Sequence, residues 1–474
     1  MMMKKNVEIE LKLLVDKKSL KKLLAAKEVQ SVIKEGSAKT VQMCSSYYDT
    51  ADLTFKKHGI AYRVRDKGDG SFEATVKTSR KSSGGLSERV ELNMPLTEDA
   101  AVLIGFKELG LDFELTELAP EGVEKLFATE IERTTYILEL PGAVAELAID
   151  KGYIRRGKDK DRIDEIEIEL LEGDKGALLD FAADIAAIVP VFIEKRSKFA
   201  RGLALLGIES DLQQEKFKMA SDGNIRLEML QAVQVHGDRL LDCQNTLRQG
   251  TERSTVKTLL KELLYLRSYL AFGMDFAATE KMQQVLDVIE AYLQRLRRLL
   301  LIWKLQQVWH QIMQTGGMLF EKSVLADRLA ELEKEAVDSL NEEISQGNLT
   351  NAVFSTISWL NNKGWDNEEY LQTGSTVRCK LQEWLQELED KEAADEKMRI
   401  IENILYVGKS AQDKALLKLA GKGKKYDAAL KSVRAEALNN LLRSLGHGSN
   451  SRVLSRDIGI LTGWLLAKNK IAVK

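Results

Sequence analysis

Two patterns of hydrophobic and polar residues divide this chain. Up to about residue 210, apolar and polar residues alternate at period two in short runs broken by turn residues. Such alternation predicts half-buried strands. The runs fall at about 6–14, 40–49, 60–66, 71–79, 87–94, 130–140, 143–150 and 164–172. Turn chemistry separates them at Asp66-Lys67-Gly68-Asp69-Gly70, Ser82-Ser83-Gly84-Gly85 and Pro141-Gly142. Helices are expected at about 17–27, 97–110, 120–128, 174–188 and 195–206. About eight antiparallel strands with few helices point to a closed or nearly closed barrel.

Beyond about residue 224 the apolar spacing becomes helical, starting with Leu227, Leu230 and Val233 and continuing through Leu259, Leu263, Leu266 and Leu270. About nine or ten helices are expected between 224 and 470. Breaks are expected near Gly250, Gly316-Gly317, Gly347, Gly364, Gly374, Gly421-Lys422-Gly423 and Gly446-His447-Gly448. The Met, Trp and Leu stripes of this half read as bundle core. Composition shifts at the same place. All four prolines lie at or before Pro190, and all six tryptophans lie at or after Trp303. The expected class is α+β: a barrel domain over 1–210, a polar linker around Glu209–Asn224, and an all-α domain over 218–474.

The length of 474 residues suits two domains. A net charge of −2 gives no global attraction to nucleic acid or to a membrane surface, so any anion site has to come from local clustering. Cys44, Cys243 and Cys379 have neither zinc spacing nor an obvious disulfide framework, which suits a reducing cytoplasm. The opening Met-Met-Met-Lys-Lys lacks the apolar core of a signal peptide, and no membrane span is expected.

The strands carry an unusual density of charge on one face. In Val7–Leu13, Glu8, Glu10 and Lys12 share a face. In Asp164–Leu170, Glu165, Glu167 and Glu169 do the same, and three such carboxylates repel unless cations sit among them. Arg63 and Arg65, Lys77, Arg89 with Glu91, and Arg133 fall in the same alternating register. Lys195, Lys198 and Arg201 follow, the last two sharing a helix face. If helices cover the aliphatic faces, the charged faces line a tunnel. Its carboxylates suit hard Mg²⁺ or Mn²⁺, and its guanidinium and ammonium groups suit phosphate oxygens.

Glu8-Ile9-Glu10-Leu11-Lys12 resembles the Glu-x-Glu-x-Lys signature of the CYTH, or triphosphate tunnel metalloenzyme, superfamily. Tyr47-Tyr48-Asp49-Thr50, Arg63-Val64-Arg65, Thr75-Val76-Lys77, Gly85-Leu86 with Arg89 and Glu91, Arg133, Glu165–Glu169 and Ser197-Lys198 follow in that family's order. The resemblance covers about residues 5–207. It implies an eight-stranded antiparallel tunnel barrel that takes triphosphate or polyphosphate with Mg²⁺ or Mn²⁺. It implies Glu8, Glu10, Glu167 and Glu169 as metal ligands with Glu165 beside them, and Glu146 and Asp150 at a second metal or a water. Ala148, between those two, stands where some members carry an acid. It also implies Lys12, Arg63, Arg65, Lys77, Arg89, Arg133, Lys195, Lys198 and Arg201 as the phosphate clamp. The expected reaction is hydrolysis of inorganic triphosphate. The base is either a water held by carboxylate or metal, or Lys12 paired with Tyr47 or Tyr48, and the resemblance implies Glu91 at a second metal or a water. Alternatives of the same fold are an adenylate cyclase, a thiamine or nucleoside triphosphatase, and a polyphosphate binder without turnover.

Residues 218–474 resemble a CHAD domain, by domain order, the leucine-rich run Val256–Phe272 and Arg267. Such domains are associated with polyphosphate. Two basic runs invite that reading, Arg295 to Lys304 and Lys422 to Arg434, but solvated helix faces explain them more simply. His236, His310 and His447 are isolated and read as structural or surface residues.

Overall fold

Alternating side chains and an unbroken ring of strand pairs turn the first half into a barrel with a charged inside. The computed structural model describes residues 7–78, 81–208, 217–316, 323–361, 372–411, 424–446 and 451–467. Its strands are β1 (Val7–Leu14), β2 (Lys39–Asp49), β3 (Ala61–Asp66), β4 (Phe72–Lys77), β5 (Lys81–Ser83), β6 (Leu86–Leu96), β7 (Glu124–Leu140), β8 (Ala143–Arg156), β9 (Asp159–Gly173) and β10 (Phe192–Ile193). Eight of them run β1-β9-β8-β7-β2-β3-β4-β6, and β6 pairs back onto β1. Every pairing is antiparallel, so the ring is closed and has no free edge. The short β5 and β10 add pairings to β6 and β1.

Register places the charges. Glu10 lies opposite Glu169 and Lys12 opposite Glu167 across β1 and β9. Glu169 in turn faces Glu146, and Glu165 faces Asp150, across β9 and β8. A slip of one residue in any pair would turn these groups to the outside.

The aliphatic faces point outward and are covered. Leu11, Leu13, Ile166 and Ile168 are inaccessible to solvent. Helix α1 (Lys17–Ala25), followed by the single turn α2 (Lys27–Gln30), offers Leu20 and Leu23 to this layer. A second outer patch joins Tyr62 and Val64 of β3, Ala74 and Val76 of β4 and Leu92 of β6. It is covered by Phe55 of α3 (Thr54–Lys57), Phe106, and Leu115 of α4 (Leu115–Leu118). Helix α5 (Gly176–Ile188) packs against α1 and β8.

Two expected helices are absent. Residues 97–110 form turns and loop, because Gly105 and Gly110 adopt φ of +94° and +111°, which breaks a helix, while Phe106 is drawn into the outer patch. At 120–128, Gly122 with φ of +87° ends a turn, and the chain then enters β7, where Glu124 and Lys125 pair with Asp49 and Tyr48.

Helix α6 (Lys198–Leu205) packs against β7, β8 and β9. Its Leu203 packs with Tyr47, Phe127, Ile131, Ile154 and Ile163, and with Phe199. A Cβ on Gly202 would lie 2.2 Å from the Phe127 ring, so only glycine allows this approach. Ser197 caps the helix by accepting from the Ala200 N–H.

The chain divides into two compact units, Met1–Glu215 and Lys216–Lys474. The second contains nine helices among the described residues. They are α7 (Ile225–Gln249), α8 (Arg253–Ala277), α9 (Glu280–Thr315), α10 (Val324–Ser345), α11 (Asn348–Asn361), α12 (Thr373–Asp390), α13 (Ala394–Ala411), and the stretches Lys424–Gly446 and Arg452–Ala467. Gly250, Gly316 and Gly347 separate helices as expected, whereas Gly374 sits inside the first turn of α12. Gly317, Gly364, Gly421, Lys422, Gly423, His447 and Gly448 lie outside the described residues, as does the first half of the linker, 209–216. The Trp and Leu stripes are core: Trp309, Leu305, Leu325, Leu329, Leu461 and Leu465 share one buried cluster. Among the described residues no helix is long and apolar enough to cross a membrane.

Candidate functional site

The barrel interior holds a cavity of about 110 Å³ lined almost entirely by ionisable side chains. β1 supplies Glu8, Glu10 and Lys12, β3 supplies Arg63 and Arg65, and β6 supplies Arg89 and Glu91. Lys77 of β4, Arg133 of β7, and Glu167 and Glu169 of β9 complete the charged wall, with Tyr47 and Lys198 toward the α6 end. Burying so many charges is tolerable only where each has a partner or a ligand.

One carboxylate cluster is fully partnered. The Lys198 ammonium lies 2.7 Å from Asp150, 2.5 Å from Glu165 and 2.8 Å from Glu167. Arg133 forks onto Asp150 at 2.6 and 2.7 Å and reaches Glu167 at 2.5 Å. Lys12 adds a contact of 2.8 Å to Glu167. Arg201 donates to Asp161 at 2.8 Å and to Glu165 at 3.2 Å. Burial opposes the charges of Lys198 and Glu167. The ion pairs still prevail, holding Lys198 above the usual lysine range and Glu167 well below the usual carboxylate range.

The second cluster is only partly partnered. Glu8 accepts from Lys77 at 2.7 and 2.9 Å and from Arg89 at 2.6 Å. Glu10 accepts from Arg89 at 2.8 Å. Lys77 also contacts Glu91 at 2.5 Å; burial opposes that carboxylate's charge, but Lys77 and Arg63 hold it down to about 2. Glu169 has no ion-pair partner among the described residues. Burial, with Glu8 and Glu91 nearby, pushes it up to about 7. Glu146, opposite it, is raised by burial as well. The counterpart among the cations is Arg65. Its Nε donates to the Ser45 hydroxyl at 3.0 Å, and burial beside Arg63 and Arg133 lowers it to about 10.

Three of the carboxylates, Asp150, Glu165 and Glu167, bring ligand oxygens within 4.8 Å of one another. Proximity alone makes them the tightest acidic group, yet Lys198 already sits among them as their cation. Glu8, Glu10 and Glu169 are an all-oxygen group on the cavity wall, and Glu169 among them has no ion-pair partner among the described residues.

The lining gathers Glu8, Glu10, Lys12, Tyr47, Arg63, Arg65, Lys77, Arg89, Glu91, Arg133, Glu167, Glu169 and Lys198. Six other candidates stand elsewhere. Tyr48 faces the outer patch beside Tyr62, with ring centroids 6.1 Å apart. Lys195 is half-buried off the cavity. Asp150, Glu165 and Arg201 lie behind the lining in the paired cluster, and Glu146 lies beside it. Ala61 and Phe199 line the cavity without having been singled out, and Ser197, read only as part of the Ser197-Lys198 motif, lines it too. The alternation Ala61-Tyr62-Arg63 already placed Ala61 on the charged face. Asp161, the partner of Arg201, was legible in the same way from Asp161-Arg162-Ile163-Asp164-Glu165.

In the helical unit the basic and histidine candidates are engaged in packing. Arg267 is buried and donates to Glu402 at 2.8 Å. Arg297 reaches the same carboxylate at 2.7 Å, and Arg295 reaches Glu343 at 3.0 Å. His236 meets Glu262 at 2.6 Å and stacks on Tyr265 at 3.9 Å. His310 bonds Gln314. His447 and the side chains of Lys422, Lys424, Lys425, Lys431 and Arg434 lie outside the described residues.

A closed antiparallel barrel with a buried lumen of carboxylates, guanidiniums and ammoniums defines a class of anion-binding tunnel proteins. The family model of the CYTH domain matches residues 6–203. An inorganic triphosphatase of Haemophilus influenzae is 30% identical over 167 residues, covering 34% of this chain and 45% of that protein. The match thus spans less than half the length of this curated relative. Among solved structures, a putative adenylyl cyclase from Hippeastrum, described as having a dominant triphosphatase activity, is 22% identical. It aligns over 42% of this chain and 95% of its own, with a TM-score of 0.30. The RNA triphosphatase domain of a mimivirus mRNA capping enzyme is 12% identical, over 39% of this chain and 89% of its own, with a TM-score of 0.25. The barrel assignment rests on the strand pairings themselves.

Proposed function

We propose that the barrel is an inorganic triphosphatase, hydrolysing the terminal phosphoanhydride of triphosphate to diphosphate and phosphate. The observation that carries this reading is the pairing of one uncompensated carboxylate, Glu169, with one cation that lacks a carboxylate, Arg65, inside the same lumen. A ligand that satisfies both must bring positive charge to one wall and negative charge to the other. A divalent metal complex of a polyphosphate does so. The named activity of the Haemophilus relative supports the choice.

In this reading Glu8, Glu10 and Glu169 hold Mg²⁺ or Mn²⁺. The ion, when bound, supplies positive charge to phosphate oxygens. Arg65 takes phosphate oxygens first, because no carboxylate competes for it. Arg63, Lys77, Arg89 and Lys12 complete the clamp and neutralise the charge that grows on departing diphosphate. Water attacks the terminal phosphorus, the bridging P–O bond breaks, and the electron pair leaves with diphosphate. Tyr47 is placed to orient that water. Burial opposes its ionisation, but Arg63, Arg65 and Lys198 outweigh it and hold the phenol below its usual value. Lys198 and Arg201 keep the partnered cluster and α6 in place, with Asp150, Glu165 and Glu167 as their counter-charges.

The test is phosphate release by the full chain with Mg²⁺ or Mn²⁺, offered inorganic triphosphate, ATP, thiamine triphosphate and long polyphosphate in parallel. Fastest turnover of inorganic triphosphate is expected. Retained binding with turnover of none of the four would overturn the enzymatic reading.

A further inference from the structure

Arg89 occupies an odd position for a phosphate ligand. It stands directly opposite Glu8 in the β1–β6 register, two pairs from Glu10. From there its Nε reaches Glu8 at 2.6 Å and its Nη2 reaches Glu10 at 2.8 Å, so one guanidinium spans both carboxylates. Lys77 holds Glu8 from the other side at 2.7 Å. These side chains are nearly sealed from solvent, so none can fall back on water when it loses its partner.

A divalent ion arriving alone has to displace Arg89, leaving it charged, buried and unpaired, and to pull Lys77 off Glu8 so that Glu91 alone holds it. A polyphosphate arriving alone has to draw the same cations away and leave Glu8 and Glu10 exposed to each other and to Glu169. Breaking one partner out of a buried ion pair is strongly unfavourable. When ion and anion arrive together, every broken pair is replaced: the carboxylates gain the ion, and the cations gain phosphate oxygens.

We infer that Arg89 is an internal competitor for the metal site, displaced when a phosphate chain draws it off, so that the barrel takes up metal and polyphosphate as one chelate. This rests on the assignment of Glu8, Glu10 and Glu169 to a metal. Coupling of this kind is reciprocal, each ligand strengthening the other by the same factor. The ligand class follows: a chain of linked phosphates that chelates a divalent ion through some oxygens and leaves others free for Arg89 and Lys77.

The test is Mn²⁺ binding to the full chain at pH 8 with no phosphate compound present, read as free Mn²⁺ by electron paramagnetic resonance. Arg89→Met keeps the apolar stem and removes the competitor. It is expected to bind Mn²⁺ at least about tenfold tighter than the unaltered protein, while binding imidotriphosphate more weakly. Equal Mn²⁺ affinity in the two proteins would overturn the competition while leaving the metal site standing. Failure of both proteins to bind Mn²⁺ would remove the metal assignment and the inference with it. Lys77→Met, which frees Glu8 and Glu91 but leaves Arg89 on Glu8 and Glu10, is the second variant and is expected to show a smaller gain; no gain counts against the proposal. A final arm needs no variant. Imidotriphosphate, corrected for its own Mn²⁺ complex in solution, should raise Mn²⁺ affinity of the unaltered protein by more than about tenfold, and independent binding of the two would overturn the coupling.

Discussion

Two carboxylate clusters share one barrel and are built from the same kind of strand, yet they are in opposite electrostatic states. Asp150, Glu165 and Glu167 are closed around Lys198, Lys12, Arg133 and Arg201. Glu8 and Glu10 are paired with Lys77 and Arg89, whereas Glu169 has no ion-pair partner among the described residues and is pushed by burial up to about 7. The difference teaches that an acidic row is a metal site only to the extent that the protein withholds its own cations from it. Counting carboxylates favours the first cluster. Counting compensation favours the second.

The largest expected effect comes from removing the resident cation of the closed cluster. Lys198→Met leaves three buried carboxylates short of their shared partner, and a loss of about 3–5 kcal/mol is expected in the barrel's urea transition. An equal loss in Glu169→Gln would erase the distinction between the clusters. Next, Arg65→Met removes a buried cation that holds no carboxylate. It is expected to raise KM for triphosphate by roughly 10–100-fold while the urea midpoint stays or rises. A fall in stability like that of Lys198→Met would show that Arg65 is structural.

The third prediction concerns pH. The folded-state value for Glu169 is raised from 4.5 to about 7. Its contribution to stability is therefore fully present below about pH 4.5 and is lost as pH rises through about 7. Metal binding needs the ionised form, so Mn²⁺ affinity should climb about tenfold per pH unit below 7 and flatten above it. Glu169→Gln should remove that slope; a slope that persists would assign the proton to another group. The smallest effect is expected at Tyr48, which faces the outer patch. Tyr48→Phe should leave turnover within about twofold, and a larger drop would bring that ring back into the site.

Much of this was readable from the sequence because a strand's period is two. Once Glu8, Glu10 and Lys12 share a face, closing the ring decides only whether that face looks inward or outward. Tyr47 and Tyr48 were inseparable without pairing, since adjacent residues point to opposite faces and either one might have faced the lumen. The residues 97–110 misled because their apolar spacing suits a helix, while two glycines and the pull of Phe106 toward the outer patch decide otherwise. Which acid meets which cation was not legible, because those contacts join strands far apart in the chain, as with Glu8 and Lys77 or Glu167 and Lys198.

The close approach of Gly202 to Phe127 has a consequence for traffic. Tyr47, Phe127, Ile163 and Leu203 pack into one apolar cluster, and the expectation drawn from that cluster is a lumen blocked at the α6 end, a sleeve with one doorway. A linear polymer can offer it only an end, and whatever is cut off must back out the way it came. Long phosphate chains should therefore shorten stepwise from a terminus, visible on a gel as a gradual drift in length, and a sudden appearance of half-length chains would mean that the sleeve opens at both ends.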